Sequence, residues 1–300
     1  MCLRICAGMM LVMSCATSFG QDSSFRGLDR FVENAGALEK YCCCMDLEFI
    51  DTRSKVEDSK FTAHFFVVSL DTKGGKRRFD HVPEFDSTIE DDVQNGHKTV
   101  FVDDTAKRVV LDDGAVKRKT FDWDQVKKRV VAKVPVFSPF RSVITGYAGF
   151  FGSTMSRIAE DDLDILTRYD EKDSQKVKGG EVFEYRVSRK APVFVSILFA
   201  DSVGGLPTTI KMLDKASESN PKTIGNSAIE WGRIGDVWVP KFLKSETVSW
   251  AGSSKIECSV KYTWTTSLHD KLWESSDDPE KNIRPQLLRD FIIENQARVK

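Results

Sequence analysis

The sequence predicts an α+β fold built on a mostly antiparallel sheet, and three observations predict it. Short apolar runs recur at close intervals, separated by turn signals such as Lys73-Gly74-Gly75-Lys76, Asp112-Asp113-Gly114 and Gly204-Gly205. Helical periodicity is confined to a segment near the start, a middle stretch and the end. Strands do not alternate with helices in the βαβ manner that builds a parallel sheet.

Residues 1–20 read as a signal peptide. A lone Arg4 precedes the apolar run Ile5 to Met13, and Ser18-Phe19-Gly20 places small residues before a cut ahead of Gln21. The run is shorter than the roughly 20 apolar residues that a bilayer-spanning helix needs. Val12-Met13-Ser14-Cys15 offers a second reading, a lipobox in which Cys15 carries a lipid anchor. The expectation is export to the periplasm or the medium, with anchoring through Cys15 as the alternative. No later stretch reads as membrane-spanning, and one β-rich domain is expected over 21–300.

Within that domain Ser23 or Ser24 caps a helix that carries Leu28, Phe31, Val32, Ala35 and Leu38 at helical spacing. Tyr41 to Ile50 and Phe61 to Leu70 read as strands. The second is apolar on both faces and so belongs in the covered centre of the sheet. Arg77 to Pro83 follows the Lys73–Lys76 turn as its partner. Thr99–Val102, Arg108–Leu111 and Ala115–Phe121 then form a meander. Its aspartate pairs are turn residues, since the alternating acids and closing glutamate of a calcium loop are absent.

Asp122 to Lys133 is charged and reads as a helix. Ser138-Pro139 is a cap followed by proline at the first helical position. Phe140, Val143, Ile144, Tyr147, Phe150 and Phe151 then fall on one helical face. That face suits either a core helix packed on the sheet or a mobile cover over an apolar cavity, and its six residues are the candidate ligand contacts. Six further strands follow at Glu181–Ser188, Pro192–Ala200, Leu206–Leu213, Asn226–Arg233, Val237–Thr247 and Lys255–Ser267. An acidic loop at Ser275–Glu280 and a helix from Pro285 to about Ala297 close the chain.

Composition narrows the function classes. The chain has 44 Lys and Arg against 45 Asp and Glu, and removing Arg4 with the leader leaves 43 against 45, a net charge near minus two. That balance does not supply the basic face needed for nucleic acid or for an anionic membrane surface. Its 20 phenylalanines and six tryptophans supply apolar area for a substantial core.

Cys42, Cys43, Cys44 and Cys258 follow the leader, and strand alternation places Cys42 and Cys44 on one face with Cys43 on the other. They read either as small buried hydrophobes or as one disulfide from the cluster to Cys258, as an oxidising compartment would allow. No Cys–His spacing completes a zinc set, so no metal is expected. The histidines His64, His81, His97 and His269 are scattered, and adjacent His269 and Asp270 face opposite ways on a strand. No nucleophile elbow, HExxH, phosphate loop or dinucleotide fingerprint occurs, so neither an enzyme nor a cofactor is expected.

Two segments resemble a known family. Phe194-Val195-Ser196-Ile197-Leu198-Phe199-Ala200-Asp201, followed by Gly204-Gly205-Leu206-Pro207, resembles a strand, turn and returning strand of the bacterial lipoprotein-sorting (LolA-like) superfamily. Glu230-Trp231-Gly232-Arg233-Ile234-Gly235-Asp236-Val237-Trp238-Val239-Pro240-Lys241 resembles another hairpin of that family. The resemblance implies a strongly curved antiparallel sheet, a half-open barrel, with helices packed in or across its concave face. It implies a carrier or sensor of acyl chains or other apolar ligands. The alternative is a cell-envelope structural or protein-interaction module with no ligand, because fold alone does not fix function.

Overall fold

The computed structural model describes residues 27–53, 60–82, 98–103, 108–112, 119–122, 139–140, 142–144, 172–188, 191–217, 220–248, 254–274 and 282–300. The first six strands are β1 (Lys40–Arg53), β2 (Lys60–Asp71), β3 (Lys76–Val82), β4 (Lys98–Asp103), β5 (Arg108–Asp112) and β6 (Lys119–Asp122). The rest are β7 (Lys172–Val177), β8 (Gly180–Ser188), β9 (Ala191–Ala200), β10 (Leu206–Asp214), β11 (Lys222–Ile234), β12 (Val237–Val248) and β13 (Ser254–Thr265). Among the described residues, the two longer helices, α1 (Gly27–Gly36) and α2 (Pro285–Glu294), flank them.

The strands form one 13-stranded antiparallel sheet in the order β6-β5-β4-β3-β2-β1-β13-β12-β11-β10-β9-β8-β7. Among the described residues the sheet is open, with β6 and β7 at its edges. Every pairing but one joins strands consecutive in sequence. The exception joins β1 to β13 along most of their length, from Cys42 opposite Thr265 to Arg53 opposite Ser254. Two meanders are thus fused along the first and last strands. Strands β6 and β7, at the two edges, stand twelve strand spacings apart in that order.

Alternation along the central strands separates two cores. Tyr41, Cys43, Met45 and Leu47 of β1 belong to a broad apolar face that runs from Val100 on β4 to Phe183 on β8. Cys42 and Cys44 point the other way, into a smaller core with Phe65 and Val67 of β2 and Leu288 and Ile292 of α2. Strand β2 is therefore covered on both sides, as its uninterrupted apolar run requires.

On the broad face α1 seats Phe31, which is fully buried, with Leu28 and Ala35 packed beside it. Val32 departs from the expected stripe and is 38% exposed. Asn34 fixes the helix to β12: its Nδ2 donates to the Trp238 carbonyl at 2.8 Å, and its Oδ1 accepts from the Trp238 amide at 3.0 Å. One side-chain amide thereby reproduces the two bonds of a strand pair.

On the opposite face a buried ion pair anchors the segment that carries α2. Arg78 on β3 meets the Asp80 carboxylate through Nε at 2.8 Å and Nη2 at 2.9 Å. Its Nη1 and Nη2 also donate to the carbonyls of Leu272 (3.3 Å) and Ile283 (2.8 Å). Thr99 donates to Asp80 Oδ1 at 2.6 Å. On α2 itself, Arg289 Nε donates to Asp46 Oδ1 at 2.9 Å. Beyond α2 the chain turns the end of the sheet: Lys300 and Arg233 exchange backbone bonds of 3.0 and 3.1 Å, and Val299 packs on the broad face.

Several elements differ from the sequence expectation. Strand β7, Lys-Asp-Ser-Gln-Lys-Val, has no apolar alternation because it is a solvent-exposed edge. Its hairpin to β8 turns at Gly179, whose φ of 84° suits glycine. Strand β11 starts at Lys222, before Asn226. Helix α2 ends at Glu294, short of Ala297, whose amide instead donates to the Trp264 carbonyl. Asp122 ends β6 and does not open a helix. The leader with Cys15, the rest of the charged segment 122–133 and the acidic loop 275–280 lie outside the described residues, as does His97.

The register also corrects the disulfide expectation. Cys258 stands opposite Phe49, five residues along β1 from Cys44. At about 3.3 Å per residue that is about 17 Å, whereas a disulfide needs Cα atoms within about 7 Å. Cys42, Cys43, Cys44 and Cys258 are all free and buried. They fill the two cores as small apolar side chains.

Candidate apolar binding face

The helical residues at 139–140 and 142–144 lie in the connection between the two sheet edges and pack against the middle of the broad face. Three of the six sequence-predicted contacts, Phe140, Val143 and Ile144, are buried there, at 0%, 0% and 6% exposure. Tyr147, Phe150 and Phe151 lie outside the described residues.

Phe140 is the hub of an aromatic cluster. Its ring centroid lies 5.7 Å from Trp264 on β13, 6.4 Å from Trp231 on β11 and 6.4 Å from Phe31 on α1. Phe31 in turn meets Trp231 edge-on at 6.3 Å. Both indoles keep their N–H groups satisfied: half-buried Trp231 donates to the Pro207 carbonyl at 2.7 Å and buried Trp264 to the Pro240 carbonyl at 2.8 Å. The cluster is apolar, closely packed and free of unpaired indole N–H groups.

Polar groups on this face come in pairs. Ser142 Oγ lies 2.7 Å from Tyr262 Oη and donates to the Pro139 carbonyl at 2.5 Å. Burial pushes the Tyr262 phenol far above its ordinary range, and the Ser142 bond pulls it only partly back, so the phenol is neutral. Ser227 and Ser245 pair at 2.9 Å. Burial likewise raises the thiols of Cys43 and Cys258, the latter to about 12, which makes them poor nucleophiles.

Two histidines that sequence spacing left apart are brought together. His81 Nε2 and His64 Nδ1 lie 3.3 Å apart near the end of the β2–β3 hairpin. The signal was present in the turn: Asp71 opposite Lys76 fixes Phe66 opposite His81, which sets His64 diagonal to it. His269 lies elsewhere, edge-on to Phe291. Among the described residues no group of three or more His, Cys, Asp or Glu is placed to hold a metal ion. No helix among them is long and apolar enough to cross a membrane.

No protein-family model matches the chain, and no curated protein matches it. Solved structures similar to it include the following three. One is a domain from Vibrio parahaemolyticus described as an outer-membrane lipoprotein-sorting protein, with 11% identity, a TM-score of 0.42, and coverage of 83% of this chain and 96% of that one. The second is a DUF1329 family protein from Desulfovibrio piger, with 11% identity, a TM-score of 0.42, and coverage of 83% and 95%. The third is a LolA superfamily protein from Nitrosomonas europaea, with 10% identity, a TM-score of 0.40, and coverage of 83% and 96%.

Proposed function

We propose that this chain is an exported, non-enzymatic binding protein for a lipid or another apolar ligand, a carrier or a sensor. The observation that carries the reading is the broad apolar face: it extends across most of the sheet, and the described residues that lie over it include α1, the short helical stretch around Phe140 and Val299. An apolar ligand needs little else, since a greasy surface with a few satisfied polar groups is enough to hold an acyl chain. In this reading the sheet curves into a half-open barrel. Phe140, Val143 and Ile144, continued by Tyr147, Phe150 and Phe151, line the ligand side of a cover.

The chain is taken to be a single domain following a signal peptide over 1–20, delivered to the periplasm or the medium, or anchored through Cys15. The reading is tested by organic extraction and mass spectrometry of the purified mature protein, together with titration by fluorescent fatty acyl probes. Co-purifying lipid or saturable probe binding supports it. A consistently empty protein with no probe binding overturns it in favour of an envelope interaction module.

A further inference from the structure

His64 and His81 form the one close pair of metal-ligating imidazoles among the described residues, beside Phe66 at the far end of the β2–β3 hairpin. They come from adjacent strands, on the side of the hairpin that carries Phe66. Phe66 holds both rings in place: its centroid lies 4.5 Å from that of His81 with the planes 7° apart, and 6.4 Å from that of His64 at 24°. His64 is buried and His81 half-buried.

We propose that His64 and His81 form a two-nitrogen site for a divalent first-row transition cation of the zinc type. Metal–nitrogen bonds of about 2.0–2.1 Å at a tetrahedral angle set two nitrogens about 3.3 Å apart. His64 Nδ1 and His81 Nε2 already stand at 3.3 Å. That separation is at the long end for a hydrogen bond between ring nitrogens. The metal takes the place of the bridging proton. Coordination through His64 Nδ1 and His81 Nε2 leaves the N–H groups on His64 Nε2 and His81 Nδ1, a change of tautomer with no net proton release from the neutral pair.

Solvent or an exogenous donor completes the coordination. Affinity follows the usual order, with copper above zinc, and acid weakens it because ligating imidazoles must be neutral. Nothing in this proposal depends on the lipid reading.

The test is calorimetric titration of untagged mature protein with zinc chloride, comparing the parent with His64→Gln, His81→Gln and His269→Gln. His269 is the control because its Nδ1 accepts from the Lys271 amide away from the pair. The expected result is one zinc per chain for the parent and the control, with affinity lowered more than about tenfold in each of the other two variants. Melting in chelator confirms that the variants are folded. Copper electron paramagnetic resonance on the parent gives a readout free of substitutions and should show coupling to two imidazole nitrogens. No zinc binding by the parent, unchanged binding in folded His64→Gln and His81→Gln, or a copper spectrum without nitrogen coupling overturns the proposal.

Discussion

Replacing Asp80 with Asn removes one charge from a site where both partners are sealed from water. The Arg78 side chain is 1% exposed and that of Asp80 0%, so solvent cannot compensate the change. Asp80 accepts from Arg78 Nε, Arg78 Nη2 and Thr99 Oγ1, and an asparagine amide turns its NH2 group against at least one of those donors. Breaking a buried pair from one side costs about 3–5 kcal/mol, because the remaining charge is stranded. Against a total stability of about 5–15 kcal/mol, that is a large share. Arg78 also ties the Leu272 and Ile283 carbonyls to the sheet, so amides of α2 should exchange hydrogen faster in the same variant. Urea unfolding followed by circular dichroism measures the loss, and a cycle with Arg78→Met should give a coupling of more than about 2 kcal/mol. A loss below about 1 kcal/mol for Asp80→Asn, or additive single variants, would refute the reasoning.

Three further outcomes follow from particular contacts. Alkali should destabilise the fold: burial raises the Cys42 thiol from 9.0 to about 11 and Cys258 to about 12, and lifts Cys43 and Cys44 well above 9.0. Below pH 9.0 the thiols are protonated in both states and this stability is fully present; above it the unfolded chain ionises first, costing about 1.4 kcal/mol per thiol per pH unit until the folded values are reached. Urea midpoints at successive pH values check this, and a flat profile through that window would contradict it. Gly180→Ala should cost about 1–3 kcal/mol, because a Cβ there would lie 2.1 Å from the Phe199 carbonyl oxygen, whereas Gly36→Ala, with nothing within 4 Å, should be neutral or stabilising in thermal melts. Ile144→Asp should abolish acyl-probe binding, since an unpaired carboxylate against apolar walls excludes the ligand or swings the helix out; strong destabilisation with binding retained at low temperature would make the segment plain core.

What was legible in the sequence was local. Apolar residues on both sides of Phe61–Leu70 mark a strand covered on both faces, and alternation splits Cys42 and Cys44 from Cys43 as the two cores do. Helical spacing found Phe140, Val143 and Ile144 because one buried stripe of a helix repeats every three to four residues. The pairing of β1 with β13 was hidden, since it joins segments more than two hundred residues apart and no local pattern encodes a partner. The same long-range register disposed of the Cys258 bridge. Strand β7 was missed because an edge strand with both faces in solvent carries no apolar signature. The His64–His81 contact follows from the Lys73–Lys76 turn only once its register is counted.

Photo-crosslinking with a diazirine-bearing fatty acyl probe tests the central claim, that the broad face holds the ligand. Peptide mapping should place the label on the segment containing Phe140, Val143 and Ile144 and on facing strand residues such as Trp231 and Trp264, with competition by unlabelled acyl chain. Label confined to the α2 side of the sheet, or label on the broad face that no competitor displaces, would contradict it.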